Sequence, residues 1–147
     1  MTEQSVDSNI LYVLSIEDNP GDIRLIEEAI GAVDDDIQLR QYSNGQKAIE
    51  ALTGDDDSSQ QPAELIFVDL NLPGASGLDI LRQIREDPRY DDIPVVVVSS
   101  SENPEDVQRA YDASANAYLT KPVDPDEFIE TITAAAQFWL PITGARN

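Results

Sequence analysis

Apolar residues recur along this chain in two rhythms, short near-continuous runs and longer stretches in which they fall three or four apart. The first run, residues 10–16, is interrupted only by Tyr12 and Ser15 and ends at Glu17-Asp18. Such a run reads as a strand buried on both faces. Asn19-Pro20 follows, an N-cap before a proline at the first helical position, and Ile23, Ile26, Ile30 and Val33 predict a helix to about residues 31–33. Three aspartates at 34–36 make a turn. Residues 37–42 alternate only in part, through Ile37 and Leu39, which predicts a less apolar strand nearer a sheet edge. Ser43-Asn44-Gly45 leads into a short helix with Ala48, Ile49 and Leu52 inward, and residues 54–64, rich in Asp, Ser and Gln, read as a surface loop.

Residues 65–69 form the third strand, four apolar residues running into Asp69; a loop with Pro73 and Gly74 follows, and Gly77 opens a helix with Leu78, Leu81 and Ile84 inward. Residues 93–98 are the most hydrophobic strand, expected to be central, and three serines, 99 to 101, end it. Asn103-Pro104 repeats the cap-plus-proline signal, and Val107, Ala110 and Tyr111 give an inward face. Residues 117–119 make a short fifth strand before Thr120-Lys121-Pro122. Asp124-Pro125 then starts a helix with Glu127 placed for a capping box and Phe128, Ile132, Ala135 and Trp139 as its buried stripe. Strand and helix alternate five times with short loops, which predicts an α/β fold built on a doubly wound, five-stranded parallel sheet. Residues 10–140 form one domain between tails at 1–9 and 141–147, the second tail too short for an output domain.

Composition narrows the chemistry. The 147 residues contain no cysteine and no histidine, which excludes disulfides, thiolate chemistry, Cys- or His-based zinc sites and an imidazole base. Oxygen ligands remain, and they suit a hard cation such as magnesium or calcium. Twenty-nine acids against nine bases give a net charge of −20, which disfavours nucleic-acid binding. That charge predicts a self-repelling, soluble surface, suited to a cytoplasm of molar salt where screening removes most of the repulsion. The apolar runs are too short to cross a bilayer and the first nine residues are unlike a targeting signal, so the expected setting is cytoplasmic and off the membrane.

In an open parallel sheet, ligands bind beyond the carboxyl ends of the strands. Four strands here end in chemistry: Glu17 and Asp18 after the first, Asp69 after the third, Ser99 after the fourth, Lys121 after the fifth. Each alone has a plain explanation. Glu17-Asp18 would favour a helix start, Asp69 would cap a loop, Ser99 would end a strand, Lys121 would be a surface cation and Tyr118 a packing residue. Together they describe a carboxylate cluster that needs a divalent cation, with an ammonium and a hydroxyl to meet a phosphoryl group.

Glu17-Asp18-Asn19-Pro20, then Val68-Asp69-Leu70-Asn71-Leu72-Pro73 with Gly77, then Val98-Ser99, then Tyr118-Leu119-Thr120-Lys121-Pro122 resemble response-regulator receiver domains, over roughly residues 10–139. The resemblance implies a flavodoxin-like (βα)5 fold of strand order 2-1-3-4-5, and the stretch 70–77 is most similar to stand-alone receivers, including partners of phytochrome-type histidine kinases. It implies that Asp69 is the phosphoacceptor. Asp18 would bind Mg2+ directly, Glu17 largely through water, and Asn71 through its backbone carbonyl. Ser99 would be the switch hydroxyl, Tyr118 the aromatic that turns inward behind it, and Lys121 the contact to a phosphoryl oxygen, with a cis bond before Pro122. Asn71 and Ser101 fall where the family sets phosphate lifetime. Serine at 99 replaces the commoner threonine and keeps the hydroxyl. Ser114 stands where relatives have glycine, at a cost of about 1 kcal/mol if the residue is left-handed.

The implied activity is that of a switch assisting its own phosphorylation and dephosphorylation, not an enzyme acting on other substrates. A histidine kinase would supply the phosphoryl group, and an unidentified downstream protein would read the surface of the fourth helix, fifth strand and fifth helix or take the phosphoryl group onward. The chain would be a monomer or a weak homodimer; Phe138, Trp139 and Leu140 pack internally or serve that dimer. A magnesium phosphohydrolase would want an acid where Asn71 stands, and a flavodoxin-type cofactor site would want a hydroxyl-rich loop after the first strand. A receiver-like module working by surface contacts alone would not need the acids, Ser99 and Lys121 together.

Overall fold

The computed structural model describes residues 10–53, 63–73 and 75–140. Five parallel strands, β1 (Leu11–Ile16), β2 (Ile37–Tyr42), β3 (Leu65–Val68), β4 (Val95–Ser99) and β5 (Ala117–Thr120), hydrogen-bond in the order β2-β1-β3-β4-β5. The helices between and after them are α1 (Pro20–Val33), α2 (Gly45–Thr53), α3 (Gly77–Glu86), α4 (Pro104–Asp112) and α5 (Pro125–Trp139), with a 3-10 turn at Pro88–Tyr90. This is the doubly wound arrangement that the alternation predicts. β2 is an edge strand, as its weak pattern implies. β4 lies inside the sheet but one place from its edge; the middle position belongs to β3, buried at all four residues.

Because successive strand residues face opposite ways, each strand feeds two cores. Leu14, Ile16, Ile66, Val68, Val95 and Val97 pack with Ala48, Ile49 and Leu52 of α2, Ile80, Leu81 and Ile84 of α3 and Ala110 of α4. On the other face Val13, Leu65, Phe67, Val96 and Val98 meet Ile26, Ala29 and Ile30 of α1 and Phe128, Ile132 and Ala136 of α5. A parallel sheet covered on both sides explains why β3 and β4 read as unbroken apolar runs.

The caps are those the sequence signals. Side chains of Asn19, Asn103 and Asp124 accept from the N–H groups of Asp22, Glu105 and Glu127, each with proline in the first turn. Ser76 caps α3 in the same way through Asp79. Ser114 adopts φ 75°, so the left-handed case raised for it applies. The Lys121–Pro122 bond is trans, since the described residues contain no cis peptide; the cis form implied by the resemblance is corrected, and trans is the intrinsically favoured isomer before proline by about 0.5–1 kcal/mol.

Two apolar assignments also change. Tyr111 does not face the core: it is 46 % exposed and its hydroxyl accepts from the Tyr118 N–H, covering the free edge of β5. Phe138 is 75 % exposed and meets the Trp139 ring edge-on, whereas Leu140 is buried. The segment 54–62, Gly74 and both tails lie outside the described residues.

Candidate functional site

The carboxyl ends of the strands are held in register by backbone bonds that continue past them. The Glu17 N–H donates to the Tyr42 carbonyl, Asp69 to Ile16 and Lys121 to Ser99, at 2.9, 3.1 and 2.8 Å. Rigid strand ends therefore fix where these side chains begin. At β3 the arrangement also depends on Gly77: a Cβ there would overlap the Asp69 carbonyl and come within 2.6 Å of Leu70 Cα. The Gly77 N–H donates to the Leu70 carbonyl at 2.9 Å, so α3 starts directly against the residues that follow the β3 tip.

Glu17 and Asp69 are buried and Asp18 is exposed. One carboxylate oxygen from each of the three lies within 4.8 Å of the others. Lys121 Nζ reaches Glu17 Oε1 at 2.9 Å, Asp69 Oδ2 at 2.9 Å and Asp22 Oδ2 at 2.8 Å. Asp69 Oδ1 accepts from the Asn71 N–H at 3.1 Å, an Asx turn that fixes the second carboxylate oxygen. Asn71 itself is exposed.

Three carboxylates thus bind one ammonium, with Asp18 beside two of them. Burial, followed by the charge of Asp69, raises the Glu17 pKa to about 7 against the opposing pull of Lys121. Burial alone would lower the Lys121 pKa, but the hydrogen bonds it donates to Asp22, Asp69 and Glu17 hold it above its ordinary value. The donor set is all oxygen and carries more negative charge than Lys121 balances. Those are the requirements of a hard divalent cation, so the residues fit magnesium.

Ser99 is fully buried at the tip of β4, and its Oγ accepts from the Ser101 N–H at 3.1 Å. Ser101 links three elements: its carbonyl accepts from the Tyr118 hydroxyl at 2.8 Å, and its own hydroxyl donates to Asp106 Oδ2 of α4 at 2.6 Å. Tyr118 stands opposite Val97 in the β4–β5 register, on the sheet face that carries Ser99, half-buried against the core on that side.

The structure therefore brings together Glu17, Asp18, Asp69 and Lys121, with the Asn71 N–H on Asp69, and links Ser99 to Tyr118 through Ser101. Asp22 was not anticipated. Its signal was its place in the first turn after Asn19-Pro20, where helical side chains lean back toward the N-terminus and so toward the strand ends.

Fold and site define a class, and the comparisons agree. The response regulator receiver domain family matches residues 13–133, and the chain belongs to that family of two-component signalling proteins. It is 34 % identical over 130 residues to the response regulator Rcp1 of Synechocystis, covering 87 % of this chain and 88 % of that protein. Its structure is similar to the phosphorylated cyanobacterial phytochrome response regulator RcpA, with a TM-score of 0.84 and 32 % identity over 90 % of this chain and 95 % of that one. It is also similar to the Mn2+-bound form of Rcp1, with a TM-score of 0.80 and 30 % identity over 89 % and 95 % of the two chains. Among the described residues no helix is long and apolar enough to cross a membrane.

Proposed function

We propose that this receiver is a phosphorylation switch in which Asp69 is the phosphoacceptor. The observation that carries the reading is the single ammonium of Lys121 placed 2.9 Å from Asp69 Oδ2 inside a carboxylate cluster at the strand ends. The chain has no histidine, so the phosphohistidine comes from outside these 147 residues, from a histidine kinase. An Asp69 oxygen attacks phosphorus, the bond from phosphorus to the imidazole nitrogen breaks, and an acyl phosphate results. Little covalent work falls to the protein, which supplies position and charge.

Asp69 is held for attack by the Asn71 N–H on one oxygen and by Lys121 on the other. Lys121 supplies positive charge to an oxygen of the transferred group, and Ser99, close by at the tip of β4, supplies a hydroxyl. Glu17, Asp18 and Asp69, with the Asn71 carbonyl, would hold Mg2+, whose chemistry is to neutralise the charge gathered on the phosphoryl oxygens and the acids.

The signal leaves through α4, β5 and α5. Drawing the Ser99 hydroxyl toward a phosphoryl oxygen alters its bond to the Ser101 N–H, and Ser101 also holds Tyr118 and Asp106. In support, α4 buries only Ala110 and exposes its Tyr111, and Val123 in the loop between β5 and α5 is exposed as well, leaving apolar surface open to a partner. The likeness to the phytochrome response regulator RcpA favours a phytochrome-like histidine kinase upstream and a separate protein, reached by docking or phosphorelay, downstream. Incubation with Mg2+ and acetyl phosphate should add one phosphoryl group, stable to acid and labile to hydroxylamine, and Asp69→Asn should abolish it. No adduct, or an adduct that survives Asp69→Asn, refutes the assignment.

A further inference from the structure

Lys121 has no donor to spare. An ammonium carries three N–H bonds, and Glu17, Asp22 and Asp69 each place a carboxylate oxygen within 2.9 Å of Nζ. Contact with an incoming phosphoryl oxygen requires that one of these bonds be given up. Glu17 and Asp69 belong to the three-acid group; Asp22 does not. Asp22 comes instead from the first turn of α1, where its own N–H is tied to the Asn19 side chain at 3.0 Å. Its carboxylate is an acceptor fixed by a helix, competing for the one cation that the described residues place at Asp69.

We propose that Asp22 is a positioning residue that acts through Lys121 to slow phosphoryl transfer to Asp69. The inference rests on the assignment of Asp69 as acceptor. Two considerations set its sign. Glu17 and Asp69 are both buried and already aim the ammonium, so a third acceptor adds restraint rather than direction. The transferred group arrives as an anion, and a further carboxylate beside Lys121 offsets the charge that should receive it. Asp22 thereby biases the receiver toward its unphosphorylated form.

The test uses the full chain with Mg2+ and acetyl phosphate. An Asp69 oxygen bonds to phosphorus as the phosphorus–oxygen bond to the acetyl group breaks and acetate leaves, and mass spectrometry follows the gain. Asp22→Asn should be phosphorylated roughly three- to tenfold faster, and Asp22→Ser, which removes the charge differently, should match it. Asp22→Glu, which keeps the carboxylate, should retain the slow rate. In a Lys121→Ala background the Asp22→Asn change should alter the rate by less than about twofold, since coupled residues lose their effect when the shared partner is gone. Beryllofluoride, a phosphoryl mimic, should bind the Asn and Ser variants more tightly in parallel. A purely structural role would accelerate nothing. An unchanged or slower Asp22→Asn, or equal acceleration without Lys121, overturns the proposal, whereas a wild-type chain that takes no phosphate removes the assignment of Asp69 itself.

Discussion

Glu17 is buried among like charges, and its raised pKa has a sign that can be checked. A carboxyl that titrates near 4.5 when unfolded and about 7 when folded binds more protons in the native state between those values. Its contribution to stability is then fully present below about pH 4.5 and is lost as pH rises through about 7. In EDTA, wild type minus Glu17→Gln should show a melting-temperature difference that moves against wild type across that window. Added Mg2+ should restore stability most above pH 7, where the carboxylate is free to bind it; a pH-independent difference would contradict the burial argument. Glu17, Asp18, Asp69, Ser99 and Lys121 were legible as candidates because each ends a strand, and strand ends can be counted from sequence. Asp22 was not, since a residue in a helix's first turn has an ordinary reason to be acidic, and only the fold shows that it reaches Lys121 from ninety-nine residues away.

At the level of elements, the tip of β3 and the start of α3 form one unit, joined where Gly77 meets the Asp69 carbonyl. The atoms that oppose a Cβ there are backbone, so no rotamer change relieves the overlap. Gly77→Ala should cost about 3 kcal/mol or more, a melting-temperature fall of roughly 10 °C in a chain of this size, and should slow phosphorylation by displacing Asp69; calorimetry and the acetyl phosphate assay would show both. Existence and order of the elements were readable because buried parallel strands give apolar runs and the helices announce themselves with Asn-Pro, Asp-Pro or Ser-Gly starts. The orientation of α4 was not. Tyr111 has helical spacing with Ala110 and Val107, yet its ring and hydroxyl serve the edge of β5, a demand that arises only once β5 is known to be last in the sheet.

Across the whole molecule, a net charge of −20 on 147 residues is self-repulsion that the fold must overcome, and the strand ends gather three of the acids within 4.8 Å of one another. Raising KCl from about 0.1 to about 1 M shortens the screening length from about 10 to about 3 Å, and the melting temperature should rise by roughly 5 °C or more. A flat or falling response would mean that the acids lie too far apart to matter to stability. Sequence alone could state this charge but not its distribution, since the pairing of Lys121 with Glu17, Asp22 and Asp69 joins all three thirds of the chain. That pairing has a consequence for synthesis. Glu17, Asp22 and Asp69 leave the ribosome well before Lys121, and α1 before α5, the helix it packs against. Until β5 and α5 have emerged, the nascent chain carries an unneutralised acidic pole and an uncovered apolar face, so β5 and α5 act as the latch for the strands and helices that precede them.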